Sequence, residues 1–124
     1  NDTNNASDDQ FANTFFEALQ EKALISLIIF EEDHAPVGFA NLMTVYSVWT
    51  HGKALILDDL YLIPEMRGKG YGKRAMGFIE QFTVQRGCKR LQFQSEETNP
   101  NAMKFYTALG YRPANMKFYV KYFF

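Results

Sequence analysis

Several features that would place a chain quickly are scarce here. There is one cysteine, Cys88, so no disulfide can form within the chain, and a reducing, cytoplasmic setting is the expectation. No apolar run approaches the ~20 residues that span a bilayer, and no signal peptide pattern is visible. Charge of either sign is not in excess: 13 Lys and Arg stand against 14 Asp and Glu. That balance removes the electrostatic argument for nucleic acid or a membrane surface as partner. The two histidines, His34 and His51, sit apart in turn-like stretches, so they are given no role and no metal is expected. Repeats, low-complexity tracts and linkers are absent, and 124 residues suit a single domain over 1–124. The chain does not begin with Met, which leaves residues upstream an open matter.

What is present concentrates between Leu57 and Arg74. An apolar strand ends in Leu60-Tyr61-Leu62-Ile63-Pro64, and Gly68, Gly70 and Gly72 then alternate with Lys69 and Tyr71 before a helix begins. Glycines let a backbone adopt unusual dihedrals and approach a ligand closely. The first amides of a helix lack intrahelical partners and favour anions. Lys69, Lys73 and Arg74 add positive charge around the same turn. A P-loop is excluded, because only three residues separate Gly68 from Gly72-Lys73 and Arg74 stands where Ser or Thr is needed. The relaxed dinucleotide fingerprint fits Gly70 to Ala75, but the following strand ends in Gln92-Phe93-Gln94-Ser95 and supplies no acid before Glu96.

Periodicity orders the rest. Residues 1–10 are polar and read as a loop or a mobile end; Phe11 to Lys22 has helical spacing. Strands are expected over 23–30, 37–48 and 54–63, with a hairpin turn at 31–36 and a loop carrying Trp49 at 47–53. Gly38 marks a bulge or a close approach. A helix over 72–86 ends at Gly87, a strand follows over 88–95, and Asn99-Pro100 opens a second helix closed by Gly110. The last strands are expected from Tyr111 and over Lys117–Phe124. Short loops between the first three strands imply antiparallel pairing, and the strand–helix–strand unit implies one parallel pair.

Two motifs in this order resemble the GNAT superfamily of N-acetyltransferases. Arg67-Gly68-Lys69-Gly70-Tyr71-Gly72 is similar to its Arg/Gln-x-x-Gly-x-Gly/Ala loop, and Asn99 through Tyr111 is similar to its Asn-x-x-Ala-x-x-Phe-Tyr-x-x-Leu-Gly-Phe helix. The resemblance covers about residues 11 to 124, and the family's first strand and most of its first helix are either upstream or reduced. A finer similarity, to the diamine and thialysine acetyltransferase branch, rests on Val37 to Ala40, the stretch around Trp49, and Gly52-Lys53 leading to Leu57-Asp58-Asp59-Leu60. It departs in spacing at Thr50-His51. The fold so implied is α+β, a mixed and mostly antiparallel sheet with a central splayed parallel strand pair flanked by helices.

The resemblance implies acetyl transfer from acetyl-CoA to a primary amine by direct attack. Arg67 begins the diphosphate loop, and amides from Gly68, Lys69, Gly70, Tyr71, Gly72 and Lys73 hold the diphosphate. The backbone of Leu60, Tyr61 and Leu62 pairs with the pantetheine arm, Asn99 bonds the arm or simply caps its helix (one side chain can serve both), and an N–H near Leu62 stabilises the oxyanion. Tyr106, two turns after Asn99 on the same helix face, has a phenol suited to protonating the thiolate. Asp58 is the best candidate to take the ammonium proton; Asp59 points to the opposite face in a regular strand, and a bulge would exchange them. Acceptors that fit are a polyamine, a lysine-like amino acid, a protein N-terminus or an antibiotic amine. The aromatic residues of 118–124 suit either a homodimer or the domain's own core. A CoA-binding module without turnover is the alternative of another class, and a nicotinamide oxidoreductase is disfavoured by the antiparallel opening strands.

Overall fold

A computed structural model describes residues 7–94 and 100–124. Its elements are α1 (Asp8–Gln20), β1 (Ile25–Glu32), β2 (Ala35–Ser47), β3 (Gly52–Leu62), α2 (Tyr71–Gln85), β4 (Arg90–Gln92) and α3 (Pro100–Ala108), with a short 3₁₀ turn at Pro64–Met66. The chain divides into two compact units, Asn1–Gln94 and Ser95–Phe124.

In the first unit four strands lie in the order β1-β2-β3-β4. The β1–β2 and β2–β3 pairs are antiparallel, and β3–β4 is parallel. This is the mixed α+β sheet the motifs imply. Asp33 and His34 both have positive φ, 50° and 66°, which matches the inward-twisting two-residue turn that joins adjacent strands. Register places Ile29, Phe39 and Tyr61 in one row, so these residues share a face, called face A here. Ala40, Leu42, Leu55 and Leu57 point to the other, face B, and all four are buried. The amphipathic helix α2 buries Ala75, Met76, Ile79 and Thr83, and its Phe78 meets Phe30 of face B edge-on at 6.1 Å. Leu42, Leu55, Met76 and Ile79 are fully buried, each contributing roughly 1.5–3 kcal/mol. Thr83 donates its hydroxyl to the Ile79 carbonyl at 2.7 Å and so is satisfied inside the helix.

Helix ends follow local chemistry. Ser7 and Gln10 form a capping box, with Asp8 and Asp9 in the first turn. The helix therefore begins at Asp8, within the stretch expected to be a loop. After α2, Gly87 (φ 73°) donates to Val84 and Cys88 to Thr83, the paired bonds of a Schellman ending. Gly110 and Tyr111 repeat that ending after α3, donating to Thr107 and Tyr106.

The later strands differ from expectation. The parallel strand, anticipated over 88–95, covers only Arg90–Gln92 of the described part, 88–94. Residues 111–124 form no regular element, so neither a strand from Tyr111 nor one over Lys117–Phe124 is present. Strand propensity needs a paired neighbour, and the second unit contains no other described strand to supply one. Among the described residues, no helix is long and apolar enough to cross a membrane.

Gly38 sits in the close approach its position suggested. A Cβ there would collide with the Tyr61 carbonyl and stand 2.7 Å from Leu62 Cδ2. The Gly38→Ala chain should lose roughly 1–3 kcal/mol. Gly77 lies within α2 with open space where a Cβ would go, so Gly77→Ala should gain up to about 1 kcal/mol. Urea denaturation midpoints should move in opposite directions for the two variants.

Candidate active site

The antiparallel register of β2 and β3 slips by one residue in mid-strand. Asn41 pairs with Asp59, while Leu42 pairs with Leu57, so Asp58 is the extra residue of a β-bulge. The alternation of side chains then decides where the two acids point. Above the slip, Asp59 shares face A with Tyr61. Below it, Ala54 and Ile56 lie on face A opposite Val45 and Met43, and continuing that alternation puts Asp58 on face A too. A regular strand would have sent the two aspartates to opposite faces; the bulge brings both to one. Burial and the Asp58 charge together raise the Asp59 carboxyl above its ordinary range. Asn41, opposite Asp59, has a buried Oδ1 with no hydrogen-bond partner among the described residues. Sequence reasoning passed over Asn41, because only the register connects it to the acids.

Next to the bulge, β3 and β4 part. Their ladder holds Ala54–Arg90, Leu55–Leu91 and Ile56–Gln92, and β3 then runs on to Leu62. The Ile63 N–H bonds the Val37 carbonyl at 2.9 Å. Backbone groups alternate along an antiparallel strand, so those of Tyr61 also turn toward β2. The N–H and C=O groups of Leu60 and Leu62 turn toward the edge that β4 has left. Arg67 confirms that direction for Leu62, whose carbonyl accepts from Arg67 Nε at 2.9 Å. The same guanidinium lies over the Tyr61 ring, 5.3 Å from its centroid. The Arg67 amide is committed to the Pro64 carbonyl. Arg67 therefore braces the end of the strand rather than presenting a free amide to a ligand.

The loop that follows differs from the start of α1. Gly68 and Gly70 have φ of 73° and 82°, with open space where a Cβ would go, so backbone dihedrals and not packing require glycine there. Gly70 is the N-cap of α2 and offers no capping side chain, and no acid lies in the first turn. The first α-helical bond is Arg74 N–H to the Gly70 carbonyl, so the amides of Tyr71, Gly72 and Lys73 precede the ladder. Lys69 and Lys73 are exposed beside them, and Arg74 lies over the Tyr71 ring at 5.2 Å. Helix α1 neutralises its N-terminal dipole with Ser7, Asp8 and Asp9, whereas α2 places cations where the dipole disfavours them. An anion bound to those amides reverses the sign of that interaction. Between the open edge and this helix start, the first unit offers strand-like pairing for an amide-bearing arm and a seat for a diphosphate. These are the two demands that coenzyme A makes.

The second unit carries the remaining candidates. Tyr106 is half-buried in α3, with Phe105 and Tyr111 packed edge-on at 5.1 and 6.2 Å. Burial pushes its phenol above the ordinary range, so it stays protonated at neutral pH. Asn99 lies outside the described residues.

Comparison with known proteins agrees with this geometry. Residues 2–111 match the model of the Acetyltransferase (GNAT) family. The uncharacterized N-acetyltransferase YhfO of Bacillus subtilis is 34% identical over 106 residues, covering 86% of this chain and 71% of that protein. The thialysine N-epsilon-acetyltransferase of Sus scrofa is 32% identical over 76 residues, 61% of this chain, and the aligned segment spans only 44% of the pig protein. Among solved structures, an integron cassette protein of V. cholerae superposes with a TM-score of 0.78 at 27% identity, over 94% of this chain and 73% of that one. The aminoglycoside acetyltransferase AAC(6')-Iy, solved with a CoA-linked bisubstrate analogue, shares the fold with a TM-score of 0.77 at 21% identity, over 95% of this chain and 82% of that one. The chain belongs to the GNAT family of acetyl-CoA-dependent N-acetyltransferases, near its diamine and thialysine branch.

Proposed function

We propose that this chain transfers the acetyl group of acetyl-CoA to a primary amine by direct attack, without a covalent enzyme intermediate. The observation that carries this reading is the uncapped, cation-flanked start of α2, reached directly from a strand that, among the described residues, has no strand partner on its outer edge beyond Ile56. Bound acetyl-CoA supplies a thioester already activated toward nucleophiles. Amides of residues 68–73 and the nearby lysines hold the diphosphate, and Leu60 to Leu62 pair with the arm. The Leu62 N–H faces that edge and serves as the oxyanion donor, a contribution of roughly 3 kcal/mol.

An alkylammonium is almost wholly protonated at neutral pH, so a base must act first. Asp58 and Asp59 face the same side, and burial together with the Asp58 charge raises the proton affinity of Asp59, which suits it to take the ammonium proton. The neutral amine adds to the thioester carbonyl, the Leu62 N–H holds the resulting oxyanion, and the C–S bond breaks as that adduct collapses. Tyr106 protonates the departing thiolate and is reprotonated from solvent, which takes up the second amine proton. A homodimer through the exposed aromatic tail, where Phe123 and Phe124 are 88% and 92% exposed, is part of the same reading. So is a reducing compartment for the half-buried Cys88.

Thiol release from acetyl-CoA with a panel of amines, and mass spectrometry of the product, tests transfer; CoA binding without release would leave a binding module instead. Tyr106→Phe should lower kcat roughly 10²–10⁴-fold with little change in acetyl-CoA affinity, and an unaltered kcat removes Tyr106 from the mechanism. Gly70→Ala forces a residue with a Cβ into φ 82°, at a cost of roughly 1–2 kcal/mol. Its KM for acetyl-CoA should rise about tenfold.

The acids separate by pH. Asp59→Asn should move the pH optimum for transfer upward, because the amine must then lose its proton to solvent. Asp58→Asn should move the acid limb downward, because it removes the charge that raises Asp59. The reverse pattern would assign the base to Asp58. Stability supplies an independent check. A carboxyl held above its unfolded value contributes fully below about pH 4, and that contribution is lost as pH rises through the folded value. Asp59→Asn should therefore match the parent chain in urea at pH 3 and exceed it at pH 7.

A further inference from the structure

The acceptor's direction of approach is constrained by the sheet. With an acyl donor along the outer edge of β3, an amine must reach the carbonyl from one face or the other. Face B is closed by its buried leucines and the Phe30–Phe78 contact with α2. Face A carries Asp58 and Asp59, and beside them lies an open cavity of about 340 Å³ between α1 and the sheet. Phe15 of α1 and Leu27, Ile29, Phe39 and Tyr61 of the sheet line it. The Phe39–Tyr61 row follows the Asn41–Asp59 row by two residues, which is about 7 Å along the strands. The acids and the cavity are therefore consecutive stations on one surface.

The lining selects the chemistry of the occupant. Among the described residues no charged side chain lines the cavity, and its wall is almost wholly aliphatic and aromatic. The Arg67 guanidinium already covers the Tyr61 ring at 5.3 Å, so a second cation entering the cavity would meet like charge as well as desolvation. An apolar group meets neither penalty. We propose that the acceptor is a primary amine with a single apolar aliphatic or aromatic body. Its ammonium lies at the Asp58–Asp59 pair, and its body fills the cavity between α1 and face A. This rests on the acetyl-transfer reading and narrows the substrate class of the same site.

The test compares phenethylamine and hexylamine with 1,6-diaminohexane, which has the same carbon length as hexylamine and a second charge. Initial rates with acetyl-CoA should give kcat/KM at least tenfold higher for both monoamines. Ile29→Asn, at a side chain already 60% exposed, should shrink that ratio by raising KM for hexylamine. A diamine used as well as or better than hexylamine overturns the proposal and brings the acidic hairpin at Glu31–Asp33 into the acceptor site. Methyl NMR of Leu27 and Ile29 without acetyl-CoA provides the second readout. Shifts with phenethylamine but not with 1,6-diaminohexane support the cavity assignment even where no amine is acetylated, an outcome that would overturn acetyl transfer alone. Equal or absent shifts overturn the cavity assignment whatever the rates show.

Discussion

Strand β3 keeps two different relationships with its neighbours, and the site depends on that difference. Toward β2 it pairs along its whole length, interrupted once by the extra residue Asp58. Toward β4 it pairs for three residues, and beyond them no described strand pairs with it on that side. An unpaired strand edge is ordinarily a hazard, since it offers N–H and C=O groups to any passing strand. Here the exposed length is short, and Arg67 covers the Leu62 carbonyl while stacking on Tyr61. What remains turned outward at Leu60 and Leu62 is a small set of backbone groups at fixed spacing. A peptide-like ligand can use such a set, and a full strand would find little to pair with.

The bulge adds a second consequence to the same strand. Two adjacent carboxylates in a regular strand would serve opposite faces, and the face turned toward α2 would have to bury one of them. Slipping the register at Asp58 spares face B an acid and gives face A two. The charges then interact, which is part of why the Asp59 proton is held more tightly. One inserted residue thus accounts for a dry core on one side and an acid pair with shifted proton affinity on the other.

Much of this was legible in the residues, and what was not has identifiable causes. Gly68 and Gly70 announced themselves because positive φ leaves few alternatives to glycine. Gly38 did so because the chain passes too close to Tyr61 for a side chain. Those are local demands, and local demands leave a mark in sequence. The direction of Asp59 was undetermined, because a bulge is fixed by pairing with Asn41 and Leu42 across the hairpin, not by the identity of Asp58. The start of α1 was missed although its signal was present: Ser7 and Gln10 have capping-box spacing, but a run of Asn and Asp around them reads as loop. Residues 117–124 failed in the opposite sense. Their alternating aromatic pattern is strand-like, and propensity without a partner strand does not form a sheet.

The starts of α1 and α2 show why a ligand belongs in the physical account of this fold. Helix α1 satisfies its first amides from its own sequence, with Ser7 and two acids. Helix α2 leaves its first amides without a capping side chain and surrounds them with Lys69, Lys73 and Arg74, an arrangement that raises the free energy of the isolated domain. The cost falls where Gly68 and Gly70 also carry a large conformational entropy to lose. A diphosphate at this turn would satisfy the amides and pair with the cations at the same time, and it would bind the folded chain alone. By mass action such a ligand stabilises the native state in proportion to the logarithm of its concentration over its dissociation constant. The loop that weakens the free domain is thus the part through which its ligand would strengthen it, and the same glycines account for both effects.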